Sequence, residues 1–385
     1  MSSPLLAQVR RRLADESSGN LSAAAGAARR EAGLLADDAV LARWEHDLVA
    51  ELHGAGPLEP LLALPGVTDV LVNGPDEVYV DCGDGLVRAA VSFESDAGIR
   101  ALAYRLAAAA GRRLDDAQPY VDAHLPDGTR LHAILPPLAA HPTVSLRVLG
   151  RRRLELADLV AASALSPELA EVLRAVTASR LAFVISGGTG AGKTTVLGAL
   201  LGLVPPDQRI VMIEDAAEVV TSHPHMVRLV ARSENVEGAG AVGLRELVRQ
   251  ALRMRPDRVV VGEFRGAEIV DLLAALNTGH AGGGATVHAN GIGDVPARLE
   301  ALGALGGLDR AALTAQAAAA FDVVLHLDRD RPGRRHLAAI GWVVRTAAAL
   351  EVLPVWTAGS GLGPGAALLA ARLVAPLPSL FDGCR

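Results

Sequence analysis

Residues 187–194 read Gly-Gly-Thr-Gly-Ala-Gly-Lys-Thr, a glycine separated by four residues from a Gly-Lys-Thr triplet. An apolar run at 181–185 precedes this stretch and a helix-forming run at 195–203 follows it. A strand, a glycine loop and a helix in that order constrain the fold more than any other feature of the chain. Glycines let the backbone curl so that successive N–H groups point at phosphate oxygens, and the helix N-terminus adds a favourable dipole. Gly187, Gly188, Thr189, Gly190, Ala191, Gly192, Lys193, Thr194 and Thr195 are thus the expected phosphate-binding set, with Lys193 on the outer phosphates and the Thr194 hydroxyl on Mg²⁺. Composition sharpens the reading. Of 37 basic residues, 36 are arginine and one is lysine, and that one is Lys193. A bias that replaced lysine everywhere else has spared the site where a compact ammonium is needed and a broad guanidinium fork does not fit.

Further apolar runs at 210–213, 259–261, 285–287 and 323–327 have the length of strands buried on both faces, with helical stretches between most of them. The expected fold is α/β, a mostly parallel sheet covered by helices over 181–345. In such sheets ligands sit at the carboxyl ends of the strands, so strand-end carboxylates should face the loop. These are Glu214, Asp215 and Glu218 after the second run and Glu263 after the third. Glu263 is placed to orient or deprotonate an attacking water, while Glu214, Asp215 and Glu218 could hold the ion's waters or the nucleophile, with Glu214 and Glu218 counted in the catalytic set and Asp215 on the Mg²⁺, partly through water. His280 and His288 flank a glycine-rich loop and the fourth run, which suggests a terminal-phosphate sensor or a subunit contact. Metal ligation by these histidines is a poor reading, because no third ligand has suitable spacing.

Upstream, short β-branched runs at 67–72, 78–81 and 86–93 are split by Asn-Gly-Pro and Gly-Asp-Gly turns. A helix over 96–110 and strands over 130–135 and 143–149 complete a smaller α+β domain over 51–150. A helical appendage is expected over 1–50, a linker and lead-in helix over 151–180, and a tail of unassigned role over 346–385. Net charge is −6 and aromatic residues are 3% of the chain, which argues against a dedicated nucleic-acid binder. Cys82 and Cys384 form no CxxC pair, so neither a disulfide framework nor a thiolate metal site is expected. The start of the chain reads as an amphipathic helix carrying Arg10, Arg11 and Arg12 and not as a signal peptide, and charges or prolines interrupt the apolar stretches at 159–176 and 363–381.

Four segments together carry a resemblance. They are 187–195; Ile213, Glu214 and Asp215 with Glu218; 252–257 running into 261–266; and 278–290. In this order they resemble the Walker A, Asp box, Walker B and His box of the type II/IV secretion ATPases, most nearly the tight-adherence (Flp) pilus assembly ATPases. Segments 54–61, 72–74, 111–115 and 125–130 look like that family's N-terminal signatures. The resemblance implies a RecA-like, Mg-ATP-dependent P-loop NTPase domain in a homo-oligomer, a hexamer, on the cytoplasmic face of an inner-membrane pilus or secretion platform, with no nucleic acid partner. It also implies that Arg113, Arg130 and Arg147, in or near the N-terminal signatures, face phosphate, and that Arg253 and Arg255 act across a subunit boundary. Ala239 and Ala281 stand where many relatives carry a polar residue. The competing class is a RecA-like DNA translocase or helicase, against which the acidic balance and the scarcity of aromatic residues count.

Overall fold

The computed structural model describes residues 54–83, 85–148, 153–232, 239–330, 333–347, 349–374 and 378–381. The appendage expected over 1–50 and Cys384 lie outside them. The chain divides into two compact units, Met1–Gly150 and Arg151–Arg385.

In the N-terminal unit the short helix α1 (Glu59–Leu62) precedes strands β1 (Asp69–Gly74), β2 (Glu77–Asp81) and β3 (Leu86–Arg88). Helix α2 (Asp96–Ala109) follows, then β4 (Tyr120–His124), β5 (Arg130–Ile134) and β6 (Thr143–Arg147). The six strands form one antiparallel sheet in the order β3-β2-β1-β6-β5-β4. Period-two alternation decides its faces. Val70, Val72, Leu131, Ala133, Val144 and Leu146 turn inward onto Ile99, Leu102 and Leu106 of α2, while Asp69, His132, Ser145 and Arg147 occupy the other face. Strand β4 is not among the strands expected from the sequence; it alternates as the others do, with Val121 and Ala123 inward. The third run is shorter than expected, since beyond Arg88 the chain leaves the sheet.

In the second unit α3 (Leu156–Ala161) and α4 (Pro167–Ala178) lead into β7 (Phe183–Gly187). Helix α4 starts where Ser166 Oγ accepts from the Leu169 amide and Pro167 pre-sets the first turn. Then follow α5 (Lys193–Leu201), β8 (Ile210–Glu214), β9 (Met226–Val230), α6 (Leu244–Ala251), β10 (Arg258–Val261), α7 (Glu268–Asn277), β11 (Gly284–Val287), α8 (Val295–Leu305), α9 (Arg310–Ala320), β12 (Val323–Arg329), β13 (Arg335–Arg345), β14 (Leu350–Thr357), β15 (Gly361–Leu362) and α10 (Ala366–Ala370). The nine-stranded sheet runs β15-β14-β13-β12-β7-β11-β10-β8-β9. The stretch from β12 to β9 is parallel and the stretch from β12 to β15 antiparallel. Each parallel strand splits its side chains between two layers. Phe183, Ile185, Ile210 and Met212 pack with α4 and α5, whereas Val184, Val211, Ile213, Val259 and Val261 pack with α6, α7, α8 and α9.

The sheet does not end near Arg345. Strand β14 pairs with β13 from Leu350 to Thr357, and Leu369, Leu373 and Phe381 close the α4/α5 layer. Pro354 hides this strand in the sequence, since proline cannot donate to a ladder. The register shifts between Ile340 and Gly341, opposite it, and its carbonyl accepts from the Gly365 amide instead. Gly359 and Gly361 have φ of +79° and +75°, so the glycine-rich tail is the turn that folds β15 back onto β14.

Candidate nucleotide site

The loop between β7 and α5 has the conformation its glycines permit. Gly187 sits at φ +149°, where an added Cβ would lie 2.4 Å from the Leu327 carbonyl oxygen, and Gly192 caps α5 at φ +97°. Lys193, 7% exposed, turns its ammonium back into the loop, donating to the Gly187 and Gly188 carbonyls at 2.9 Å each. Burial pushes its pKa down, and the nearby carboxylates of Glu263 and Glu218 partly offset this. Its Nζ also lies 3.3 Å from His288 Nδ1.

Parallel pairing in register brings the strand ends together. Ile213 is level with Val261, and Ser186 with Val287, so Glu214, Glu263 and His288 all emerge at the edge that carries the loop. One hollow is lined by Thr194, Glu214, Asp215, Glu218, Gly262, Glu263 and Arg265. Within it the carboxylates differ. Glu214 is 2% exposed, and its Oε1 accepts from the Glu218 and Val219 amides at 2.9 and 2.8 Å. Arg228 Nε stands 2.9 Å from its other oxygen. Burial is the main reason its pKa rises to about 7. Glu214 therefore shapes the turn that presents Asp215 and Glu218. Glu214 belongs to the expected catalytic set; its Oε1 is committed to the two turn amides and its Oε2 is ion-paired with Arg228.

Glu263 is held from two sides. His288 Nε2 lies 2.6 Å from its Oε1, and Arg265 donates to its Oε2 at 2.6 Å. Burial pushes the His288 pKa down despite Glu263, and Lys193 and Arg265 reinforce that direction, so a neutral ring links lysine to glutamate. Arg265 was absent from the expected set. Its signal was the spacing, because alternate residues on an extended strand end share a side.

The two histidines are not a pair. His280 lies beyond the C-terminus of α7, before β11, at the edge opposite the loop, and its Nδ1 faces the Ala275 carbonyl at 3.0 Å. Only His288 belongs to the site. A third histidine takes part: His326 on β12, 6% exposed, has Nδ1 2.9 Å from Ser186 Oγ, one residue before the loop. On β13, Arg335 Nε donates to the Gly190 carbonyl at 2.8 Å. Arg113, Arg130 and Arg147 belong to the N-terminal unit. Arg113 pairs with Asp115, Arg130 with Asp122 at 2.6 Å and Arg147 with Asp69 at 3.0 Å. The Arg130 guanidinium holds the Asp122 pKa down.

A lysine-bearing glycine loop between strand and helix, with carboxylates gathered at its mouth on a parallel sheet, defines a P-loop nucleotide-binding core. The family model for type II/IV secretion system proteins matches residues 51–330, and the chain belongs to that family, the secretion ATPases. It is 57% identical over 343 residues to a putative conjugal transfer protein of Mycobacterium tuberculosis, spanning 87% of this chain and 97% of that one. To the conjugal transfer protein TrbB of Rhizobium radiobacter it is 31% identical over 283 residues, spanning 70% and 81%. In structure it resembles the Yersinia pseudotuberculosis ATPase DotB, with a TM-score of 0.52 at 18% identity across 73% of this chain and 76% of that chain. That likeness speaks to the fold. The protein is an ATPase-class motor of secretion or pilus assembly.

Proposed function

We propose that the chain hydrolyses Mg²⁺-bound ATP to ADP and phosphate as a homo-hexamer on the cytoplasmic face of an inner-membrane platform. The observation that carries this reading is the convergence of Thr194, Asp215, Glu218 and Glu263 on one hollow beside the loop that holds Lys193. The donor set suits Mg²⁺. It consists of oxygens alone, which suits a hard cation that keeps waters and shares phosphate oxygens. Thr194 and Asp215 would hold it, and when bound it neutralises charge on the outer phosphates.

The remaining work belongs to side chains. Lys193 turns from the loop carbonyls to the phosphates, and Glu263 orients water and accepts its proton once one oxygen is released by His288 or Arg265. Arg113, Arg130 and Arg147 are the candidates that the family resemblance offers for positive charge on the phosphates. The relatives' names, conjugal transfer proteins, support a secretion role. The N-terminal signatures favour tight-adherence pilus assembly. Attachment to the platform is peripheral in this reading; no helix among the described residues is long and apolar enough to cross a membrane.

Steady-state phosphate release tests the site. Lys193→Ala removes the only lysine, and turnover should vanish. Glu263→Gln keeps shape and should retain ATP binding while hydrolysis falls by about two orders of magnitude. Turnover of Lys193→Ala within about threefold of wild type would sink the assignment.

A further inference from the structure

The carboxylates fix which way a triphosphate lies. Thr194, Asp215, Glu218 and Glu263 all stand on the β8/β10 side of the loop, and Lys193 points toward His288 on β11, which lies on the same side of β7. The terminal phosphate and its cation belong there. The nucleoside end then leaves the loop on the opposite side of β7, where β12 and β13 stand.

The register places Arg335 at that exit. Leu327 pairs with Gly187 on one side and with Leu337 on the other, so Arg335, two residues before Leu337 on an antiparallel strand, projects past the level of Gly187 and over the loop. Its Nε donates to the Gly190 carbonyl at 2.8 Å, and its Cδ would lie 3.5 Å from a Cβ built on Gly192. The side chain is exposed and anchored at its inner nitrogen. Phe, Tyr and Trp are scarce here. On the strands flanking the loop, Phe183 and Trp342 both sit level with Val323, at the far end of the sheet. A flat, delocalised guanidinium stacks on a base where an aromatic ring is lacking.

We propose that Arg335 is the contact for the base of the bound nucleotide, its guanidinium stacked on the ring and held in place by the Gly190 carbonyl. This rests on the nucleotide-site reading above, and the test separates the two. Binding of ADP, ATP and inorganic tripolyphosphate is measured by calorimetry on the full chain, Arg335→Ala and Lys193→Ala. Arg335→Ala should weaken ADP and ATP about tenfold and leave tripolyphosphate unchanged, because only the nucleotides carry a base. Equal weakening of all three ligands would show that Arg335 merely braces the loop, and unchanged binding of all three would show that it touches nothing; either result overturns the proposal. Lys193→Ala should lose tripolyphosphate as well as the nucleotides, and wild-type binding there would refute the site itself.

Discussion

Arg258 is the largest fully buried side chain among the described residues, 1% exposed at the start of β10, and removing it should cost more stability than any change at the site. Its Nε donates to Gln208 Oε1 at 2.9 Å, one terminal nitrogen to the Gly282 carbonyl and the other to the Thr177 carbonyl, each at 3.0 Å. Three segments distant in sequence are thus tied by one planar group. Hydrogen bonds to a charged partner contribute about 1.5–3 kcal/mol each, but they share one side chain, so Arg258→Met should cost about 3–5 kcal/mol and not the full sum. In a unit of this size each kcal/mol moves Tm by about 2–4 °C, which predicts a fall of roughly 6–20 °C. Burial lowers the guanidinium pKa to about 10, so the group stays charged near neutrality and the fall should be equal at about pH 6 and pH 8. Arg258→Lys should recover only part, since a single ammonium cannot reach three separated acceptors. Thermal unfolding followed by circular dichroism reads all of this. A Tm within about 2 °C of wild type for Arg258→Met would refute the reasoning.

Other consequences are as direct. His326 is buried beside Ser186 and its pKa is lowered by that burial, so the unfolded chain binds the proton more readily; stability should fall as pH drops through about 6.5 and below, and His326→Gln should flatten that slope in melts across the range. In the hexamer reading, specific ATPase activity should rise with protein concentration, and a per-chain rate unchanged on dilution, with a monomer by light scattering in Mg-ATP, would contradict it. Arg130→Ala and Arg147→Ala should bind ATP normally by calorimetry and hydrolyse it poorly; unchanged turnover would confine both to their pairs with Asp122 and Asp69.

The parts of the fold that were legible in the sequence are those where a local pattern has one physical outcome. Runs buried on both faces, a glycine loop with positive φ values and carboxylates at or just past a strand end map onto β7, β8, β10 and the hollow beside Lys193. What stayed hidden depends on long-range register. Nothing local to His280 and His288 tells that a strand four residues long sends them to opposite edges of the sheet. Glu214 and Glu218 look equivalent as text, yet one caps the turn that displays the other. Strand β14 is hidden by Pro354, tolerated because the partner strand shifts register there. Arg335 is 145 residues from the carbonyl it holds, a separation across which no periodicity speaks.

That Lys193 is the sole lysine makes the chain a natural substrate for amine chemistry. An acylating reagent specific for lysine side chains has one target in 385 residues, and that target lies inside the phosphate loop. A protease that cuts only after lysine has the same single address, and its bond is guarded by a side chain 7% exposed at the first residue of α5. Resistance to such a protease therefore reports the folded loop, and its loss marks the moment the loop opens, without a label or a mutation.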